Sequence, residues 1–208
     1  MFEETLEQNS DEGIRLPELC VQQGIVPGIK VDKGKLPLAN TSGDEITQGL
    51  DGLEQRLKGY KKLGARFAKW RNVYYIAEML PSRLAIEANA EVLARYAAIC
   101  QAQGIVPIVE PEVLIDGDHS LNRCSEVSEV VFHELFHSLH QHHVVLEHMI
   151  LKPNMMISGN KNLQKVTPEE VADRLSEYYD AQYRQPYPVL IFFPAARLPR
   201  KPQPILMP

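Results

Sequence analysis

Charged residues end four apolar, strand-like runs of this chain at a nearly constant interval. They are Lys30, Lys69, Glu110 and Lys152, separated by 39, 41 and 42 positions, with a helix-like stretch between each pair. A fifth apolar run, 189–193, follows one interval later. A strand–helix–strand recurrence predicts a parallel sheet, and in a (β/α) barrel the carboxyl ends of such strands open onto a common mouth.

Five such runs predict an α/β fold, a partial (β/α)8 TIM barrel that retains about five β/α units. A closed barrel of eight units would need about 330 residues at this unit size, and the chain has 208. We expect the partial barrel to occupy residues 1–185. Residues 186–208 contain the last strand-like run and seven of the fifteen prolines, which predicts an irregular tail.

Periodicity and turn signals place the individual elements. Strands are expected at 24–32, 67–74, 105–113, 144–152 and 189–193. Helices are expected at 53–63, 84–103, 127–140 and 167–179, the last one opened by a capping box. A sheet of five parallel strands leaves two edges unpaired, so we also expect a homo- or hetero-oligomer.

Composition narrows the class of partner. A net charge of −5 and a pI of about 5.8 give no general attraction to nucleic acid or to an anionic membrane, so we expect a small-molecule ligand. No apolar stretch approaches the roughly 20 residues of a spanning helix. Three cysteines without a metal or disulfide spacing, and an acidic start without an apolar leader, predict a reduced, cytoplasmic protein.

The cations at the predicted mouth indicate carbonyl chemistry. Lys152 is expected to have Lys30, Lys69 and Arg71 as neighbours. An amine among cations in a partly desolvated site has its protonated form disfavoured, which leaves a neutral lysine able to attack a ketone and form a Schiff base.

Two carboxylates are expected beside these cations. Glu110 and Glu112 share one face of their strand, and a carboxylate close to the reacting atoms can transfer the protons that Schiff-base chemistry requires. The remaining cations would hold phosphate oxygens. The alternative is that these inward-pointing charges only neutralise one another as a layer of the barrel.

At these residues the chain resembles class I fructose-bisphosphate aldolase. Six segments carry the resemblance: Gly-Ile-Lys-Val-Asp-Lys-Gly (28–34), Thr-Gln-Gly-Leu-Asp-Gly-Leu (47–53), Phe-Ala-Lys-Trp-Arg (67–71), Ile-Val-Pro-Ile-Val-Glu-Pro-Glu (105–112), Asp-Gly-Asp-His (116–119) and Leu-Lys-Pro-Asn-Met (151–155). The resemblance covers residues 1 to about 179. It implies a barrel lyase of glycolysis that reversibly cleaves fructose 1,6-bisphosphate to dihydroxyacetone phosphate and glyceraldehyde 3-phosphate, without metal or other cofactor.

The resemblance also implies roles for the catalytic residues. Lys152 matches the Schiff-base lysine and Glu110 the principal acid/base. Lys69 is implied to assist the carbinolamine and cleavage steps, with Glu112 coupled to it.

Lys30 and Arg71 are implied to contact the substrate or its phosphates.

Other features of the sequence depart from the family. Pro194-Ala195-Ala196 stands where the family has a phosphate-binding Ser-Gly-Gly loop. We also expect the chain to begin just after the family's second strand and to lack its last one, which removes an aspartate that the family needs for cleavage. A second hypothesis is therefore a catalytically impaired, aldolase-derived binding or interaction protein.

A third hypothesis comes from His133-Glu134-Leu135-Phe136-His137, which satisfies the H-E-x-x-H pattern of zinc hydrolases. His133, His137 and His140 share one helical face, opposite the apolar residues of the same helix. In a barrel that face meets solvent. We expect a solvated face without catalytic metal, with adventitious metal binding and zinc catalysis as the alternatives.

Overall fold

The computed structural model describes residues 1–164, 166–182 and 190–191. The strands are β1 Gly28–Lys30, β2 Lys35–Pro37, β3 Glu45–Thr47, β4 Phe67–Tyr74, β5 Val106–Val113, β6 Ile150–Leu151 and β7 Leu190–Ile191. The helices are α1 Glu3–Glu7, α2 Leu16–Gln22, α3 Leu53–Lys62, α4 Arg83–Ala102, α5 Leu121–Gln141 and α6 Pro168–Gln182, and a short 3₁₀ turn covers Leu146–His148.

Five of the strands form one parallel sheet, in the order β1-β4-β5-β6-β7. A helix lies between each consecutive pair of these strands, and β2 and β3 form a separate antiparallel hairpin after β1. The predicted fold class is thus confirmed as an incomplete (β/α) barrel with five parallel strands. The proline-rich tail predicted after the last strand lies outside the described residues.

The central pair, β4 and β5, shows how the sequence divides the two faces of the sheet. Their register runs from Phe67 opposite Val106 to Tyr74 opposite Val113. Side chains alternate along each strand, so Trp70 and Val109 are fully buried on the face covered by helices. The charged residues of both strands point to the other, concave face.

Two long helices cover the buried face. Serines begin both: the Ser82 hydroxyl accepts from the backbone N–H of Ala85 at 3.1 Å, and the Ser120 hydroxyl accepts from that of Arg123 at 3.2 Å. Such caps pair amide groups that otherwise lack a partner at a helix start. The apolar faces of α4 and α5 then pack on the sheet, with the Tyr96 ring 5.3 Å from that of Trp70.

All three cysteines, Cys20, Cys100 and Cys124, lie within the described residues and are free thiols. Burial raises the pKa of Cys100 to about 12 and also raises the pKa of Cys124. Both thiols are therefore protonated and unreactive near neutral pH. Among the described helices, none has the length and apolar character needed to cross a membrane.

Candidate active site

The six residues selected from sequence lie on the parallel strands or directly after them. Lys30 ends β1, Lys69 and Arg71 lie within β4, Glu110 and Glu112 lie in the second half of β5, and Lys152 directly follows β6. The N–H of Lys152 donates to the carbonyl oxygen of Val109 at 2.9 Å, which continues the pairing of β6 with β5 by one residue. The contacts between these side chains bring them to one mouth.

Glu110 is the centre of the site. One of its carboxylate oxygens, Oε2, accepts from the Lys69 ammonium at 2.6 Å, and the other, Oε1, accepts from the Lys152 ammonium. The Glu110 side chain is 4% exposed, while each lysine side chain is 26% exposed. A buried carboxylate thus bridges two lysines whose amines reach the open face.

The register of β4 and β5 decides these pairings. Arg71 lies opposite Glu110 and Lys69 opposite Ile108. Each cation of β4 contacts the carboxylate two residues beyond its opposite residue on β5. Lys69 pairs with Glu110, and the Arg71 guanidinium pairs with Glu112. Glu112, which the resemblance couples to Lys69, is in contact with Arg71, because the register brings the Arg71 guanidinium to this carboxylate.

The surroundings of Lys152 also differ from the sequence-based expectation. Lys69 is close, as predicted, but Glu110 lies between the two ammonium groups. A lysine attacks a carbonyl through its neutral amine, so a base must be able to take its proton. Glu110 is the carboxylate in direct contact with the Lys152 amine.

Sequence reasoning missed Asp32 as a residue of this site. The Lys30 ammonium donates to Oδ1 of Asp32, whose side chain is 5% exposed. The signal was present, since Asp32 lies two residues after Lys30 on the same face of the strand. With Asp32 included, four cations and three carboxylates of the described part of the chain line the mouth.

The β2–β3 hairpin closes one side of this mouth. The Thr47 hydroxyl donates to the carbonyl oxygen of Arg71 at 2.9 Å, which attaches the hairpin to β4. Within the hairpin, the Lys35 ammonium donates to Glu45 at 2.5 Å, and this bond raises the pKa of Lys35. The hairpin is therefore fixed beside the Arg71 end of the site.

The H-E-x-x-H segment lies away from this site. His133, His137 and His140 are exposed on the outer face of α5, as predicted, and the His137 ring is hydrogen-bonded to the Gln141 amide at 2.9 Å. Within the described residues, no three histidine, cysteine or acidic side chains are grouped to hold a metal ion. The zinc-hydrolase hypothesis gains no support from this arrangement.

A chelator provides a direct check on this reading. We expect an excess of EDTA to leave any activity of the chain on a ketone unchanged, because a lysine that forms a Schiff base activates the ketone without a metal. His133→Ala is expected to have no effect either. Activity that falls with EDTA, returns with zinc and is lost in His133→Ala would contradict this expectation.

Parallel strands in sequential order, with a helix between each consecutive pair, are the arrangement of an incomplete (β/α) barrel. The family model described as fructose-bisphosphate aldolase class-I matches residues 1–180. Human fructose-bisphosphate aldolase C is 57% identical over 171 residues, which is 82% of this chain and 47% of that protein. The probable class 1 aldolase of Xanthomonas campestris is 52% identical over 173 residues, 83% of this chain and 52% of that protein.

Solved structures agree with this match. Fructose-bisphosphate aldolase from Plasmodium falciparum, solved in complex with TRAP and a small molecule inhibitor, superposes with a TM-score of 0.87 at 43% identity. The match covers 92% of this chain and 56% of that one. The chain therefore belongs to the class I fructose-bisphosphate aldolase family, and it spans about half the length of the curated relatives it matches.

Proposed function

We propose that this chain is a class I aldolase of glycolysis that reversibly cleaves fructose 1,6-bisphosphate to dihydroxyacetone phosphate and glyceraldehyde 3-phosphate. Family membership supports the reaction. The observation that carries the proposal is the cluster of Lys152, Glu110 and Lys69, in which a buried carboxylate contacts both amines.

In the proposed mechanism, Lys152 attacks the ketone carbon of the sugar. Glu110 accepts the ammonium proton of Lys152 and returns a proton to the carbinolamine hydroxyl, which leaves as water and gives the iminium. Lys69 stays in contact with the other oxygen of Glu110, so the negative charge of the carboxylate remains compensated while protons move.

Cleavage follows from the iminium, which draws the electrons of a carbon–carbon bond into an enamine and so requires no metal. The hydroxyl proton of the departing half must go to a base, and Glu110 is the most buried carboxylate at the mouth. Arg71, held by Glu112, and Lys30 are the cations proposed to contact the substrate or its phosphates. Pro194-Ala195-Ala196, which replaces the phosphate loop, lies outside the described residues.

The proposal is tested by measuring turnover. The purified chain is mixed with fructose 1,6-bisphosphate, and both triose phosphates are measured over time, with Lys152→Met as control. We expect equal amounts of the two products from the parent chain and none from the variant. A folded chain that binds the sugar but releases neither product would contradict the enzymatic proposal.

That second result would favour a catalytically impaired, aldolase-derived binding protein. One observation favours this alternative: the sequence has a proline and two alanines, Pro194-Ala195-Ala196, where the family has its phosphate-binding loop. Equilibrium binding of fructose 1,6-bisphosphate without turnover is what this alternative predicts.

We further propose that the chain works in the cytoplasm, with a phosphorylated sugar as its ligand and with aldolase chains as oligomeric partners. The free thiols of Cys20, Cys100 and Cys124 support a reducing compartment. β1 and β7 are the edge strands of the described sheet, and unpaired edges support association with another chain. Sedimentation velocity tests the oligomer, and the proposed boundary between 1–185 and 186–208 is tested by limited proteolysis.

A further inference from the structure

Asp32 and Lys30 form an isolated ion pair at the edge of the site. The Lys30 ammonium donates to Oδ1 of Asp32, and the aspartate lies beneath the lysine, with its side chain 5% exposed against 32% for Lys30. The second oxygen, Oδ2, is buried and has no hydrogen-bond partner among the described residues. Lys30 is thus the one cation that the structure shows in contact with this carboxylate.

The free-energy cost of burying a charged carboxylate with a single partner is offset mainly by that partner. Removing a charge from water is costly unless it is paired. Oδ2 accepts no hydrogen bond from the described residues, so the bond through Oδ1 to Lys30 is the one that the structure shows for this carboxylate. The geometry of the lysine is therefore tied to a group that cannot move out into solvent.

The register of β1 on β4 explains why Lys30 needs such a partner. Lys30 lies directly opposite Lys69 in the parallel pair, and like charges placed opposite each other on neighbouring strands repel. Lys69 is drawn towards Glu110, on the far side, and Lys30 is drawn towards Asp32. The two carboxylates separate the ammonium groups into two distinct positions at the mouth.

We propose that Asp32 is a positioning residue that holds the Lys30 ammonium at the mouth, where Lys30 binds a phosphate group of the ligand. The identity of the ligand rests on the proposed function. Asp32 itself does not contact the ligand, because its free oxygen is shielded from solvent. It acts through Lys30, which is the more exposed member of the pair.

The test is binding of a hexitol 1,6-bisphosphate, which has both phosphates but no ketone and so cannot form a Schiff base. Asp32→Asn keeps the shape of the side chain and removes one negative charge. Simple electrostatics predicts tighter binding of an anion after this change. Positioning predicts the opposite sign, a rise in Kd of about tenfold, because Lys30 loses its charged hydrogen-bond partner.

Two further variants make the result decisive. Asp11→Asn changes the same charge at an exposed position before α2 and is expected to leave Kd unchanged. Lys30→Gln is expected to weaken binding, and the double variant Asp32→Asn/Lys30→Gln to bind no more weakly than Lys30→Gln alone, since Asp32 acts through Lys30. Circular dichroism of each variant establishes that it is folded, and the double variant leaves no buried charge unpaired.

Tighter or unchanged binding in Asp32→Asn would overturn the inference, as would additive losses in the double variant. Failure of the proposed function is a separate result. A parent chain that binds the hexitol bisphosphate but does not cleave fructose 1,6-bisphosphate refutes the lyase and leaves the role of Asp32 standing. A parent chain that does not bind the probe overturns both.

Discussion

Replacing Glu110 by glutamine is expected to slow Schiff-base formation at Lys152 by about a hundredfold or more, within the range usual for loss of a general acid or base. The carboxylate of Glu110 accepts from Lys69 at 2.6 Å and from Lys152. A glutamine has similar size but offers one acceptor oxygen and takes up no proton. The rate is measured as mass gained by the chain when dihydroxyacetone phosphate is added and the reaction is quenched with borohydride.

The matched control is Glu112→Gln, the same change two residues further along β5. Glu112 contacts Arg71 instead of a lysine, so we expect a smaller loss in the rate of adduct formation. Equal losses in both variants would show that the rate depends on the total charge of the mouth and would remove the special role of Glu110.

Replacing Trp70 by alanine is expected to lower the free energy of unfolding by about 3–5 kcal/mol. The Trp70 side chain extends from β4 towards α4 and is fully buried, with its ring centroid 5.3 Å from that of Tyr96. Its indole N–H donates to the side-chain oxygen of Asn72 at 2.8 Å, and the amide of Asn72 donates to the Asn89 carbonyl on α4 at 2.8 Å. The substitution therefore opens a cavity and also leaves a buried oxygen without its donor.

Urea unfolding followed by circular dichroism measures this loss, which is a large part of the stability of a typical domain. Phe2→Ala serves as the control, because the Phe2 side chain is 60% exposed and its truncation creates no cavity. A Trp70→Ala loss below about 1 kcal/mol would mean that the packing of α4 on the sheet is not a main source of stability.

Elements with a strong local signal were predicted to within a residue or two. β4 has the predicted limits, because its alternation marks both a buried and a charged face. The start of α6 was predicted from its capping box, and the structure has both bonds: the Glu170 carboxylate accepts from the Thr167 N–H at 2.7 Å, and the Thr167 hydroxyl accepts from the Glu170 N–H at 3.2 Å. Both signals come from residues that are close together in the sequence, so they can be recognised without knowing the fold.

Strand predictions beside helix ends were too long. The strand expected over 144–152 is reduced to Ile150–Leu151, because the preceding residues form other bonds. The Val144 N–H donates to the Leu139 carbonyl at the end of α5, and the side-chain amide of Gln101 holds both backbone groups of Val145. Tertiary contacts of this kind cannot be recognised from the apolar pattern of the sequence.

The helix expected over 127–140 was too short at its start, because the expectation followed only the regular apolar repeat. α5 begins at Leu121, and its first turns are polar and lack the apolar repeat on which the expectation rested. Ser120, which caps the helix, was the local signal that could have extended it.

The sequence predicted which residues lie at the mouth better than it predicted which of them are in contact. The rule that parallel strands share one mouth led to six charged side chains that all lie on the strands or directly after them, although Lys69 and Arg71 lie within β4 and not at its end. The pairing of Glu112 with Arg71 depends on the register between β4 and β5. A single sequence does not contain that register, so this contact could not be predicted, whereas the two-residue spacing of Lys30 and Asp32 was visible in the sequence.

The most direct test of the central claim is to locate the covalent adduct. The chain is incubated with dihydroxyacetone phosphate, reduced with borohydride and digested, and the peptides are mapped by mass, with Lys152→Met in parallel. We predict one adduct, on Lys152, that is absent from the variant. A folded parent chain with no adduct, or an adduct on Lys69 or Lys30 that persists in Lys152→Met, would contradict the assignment of Lys152 as the Schiff-base lysine.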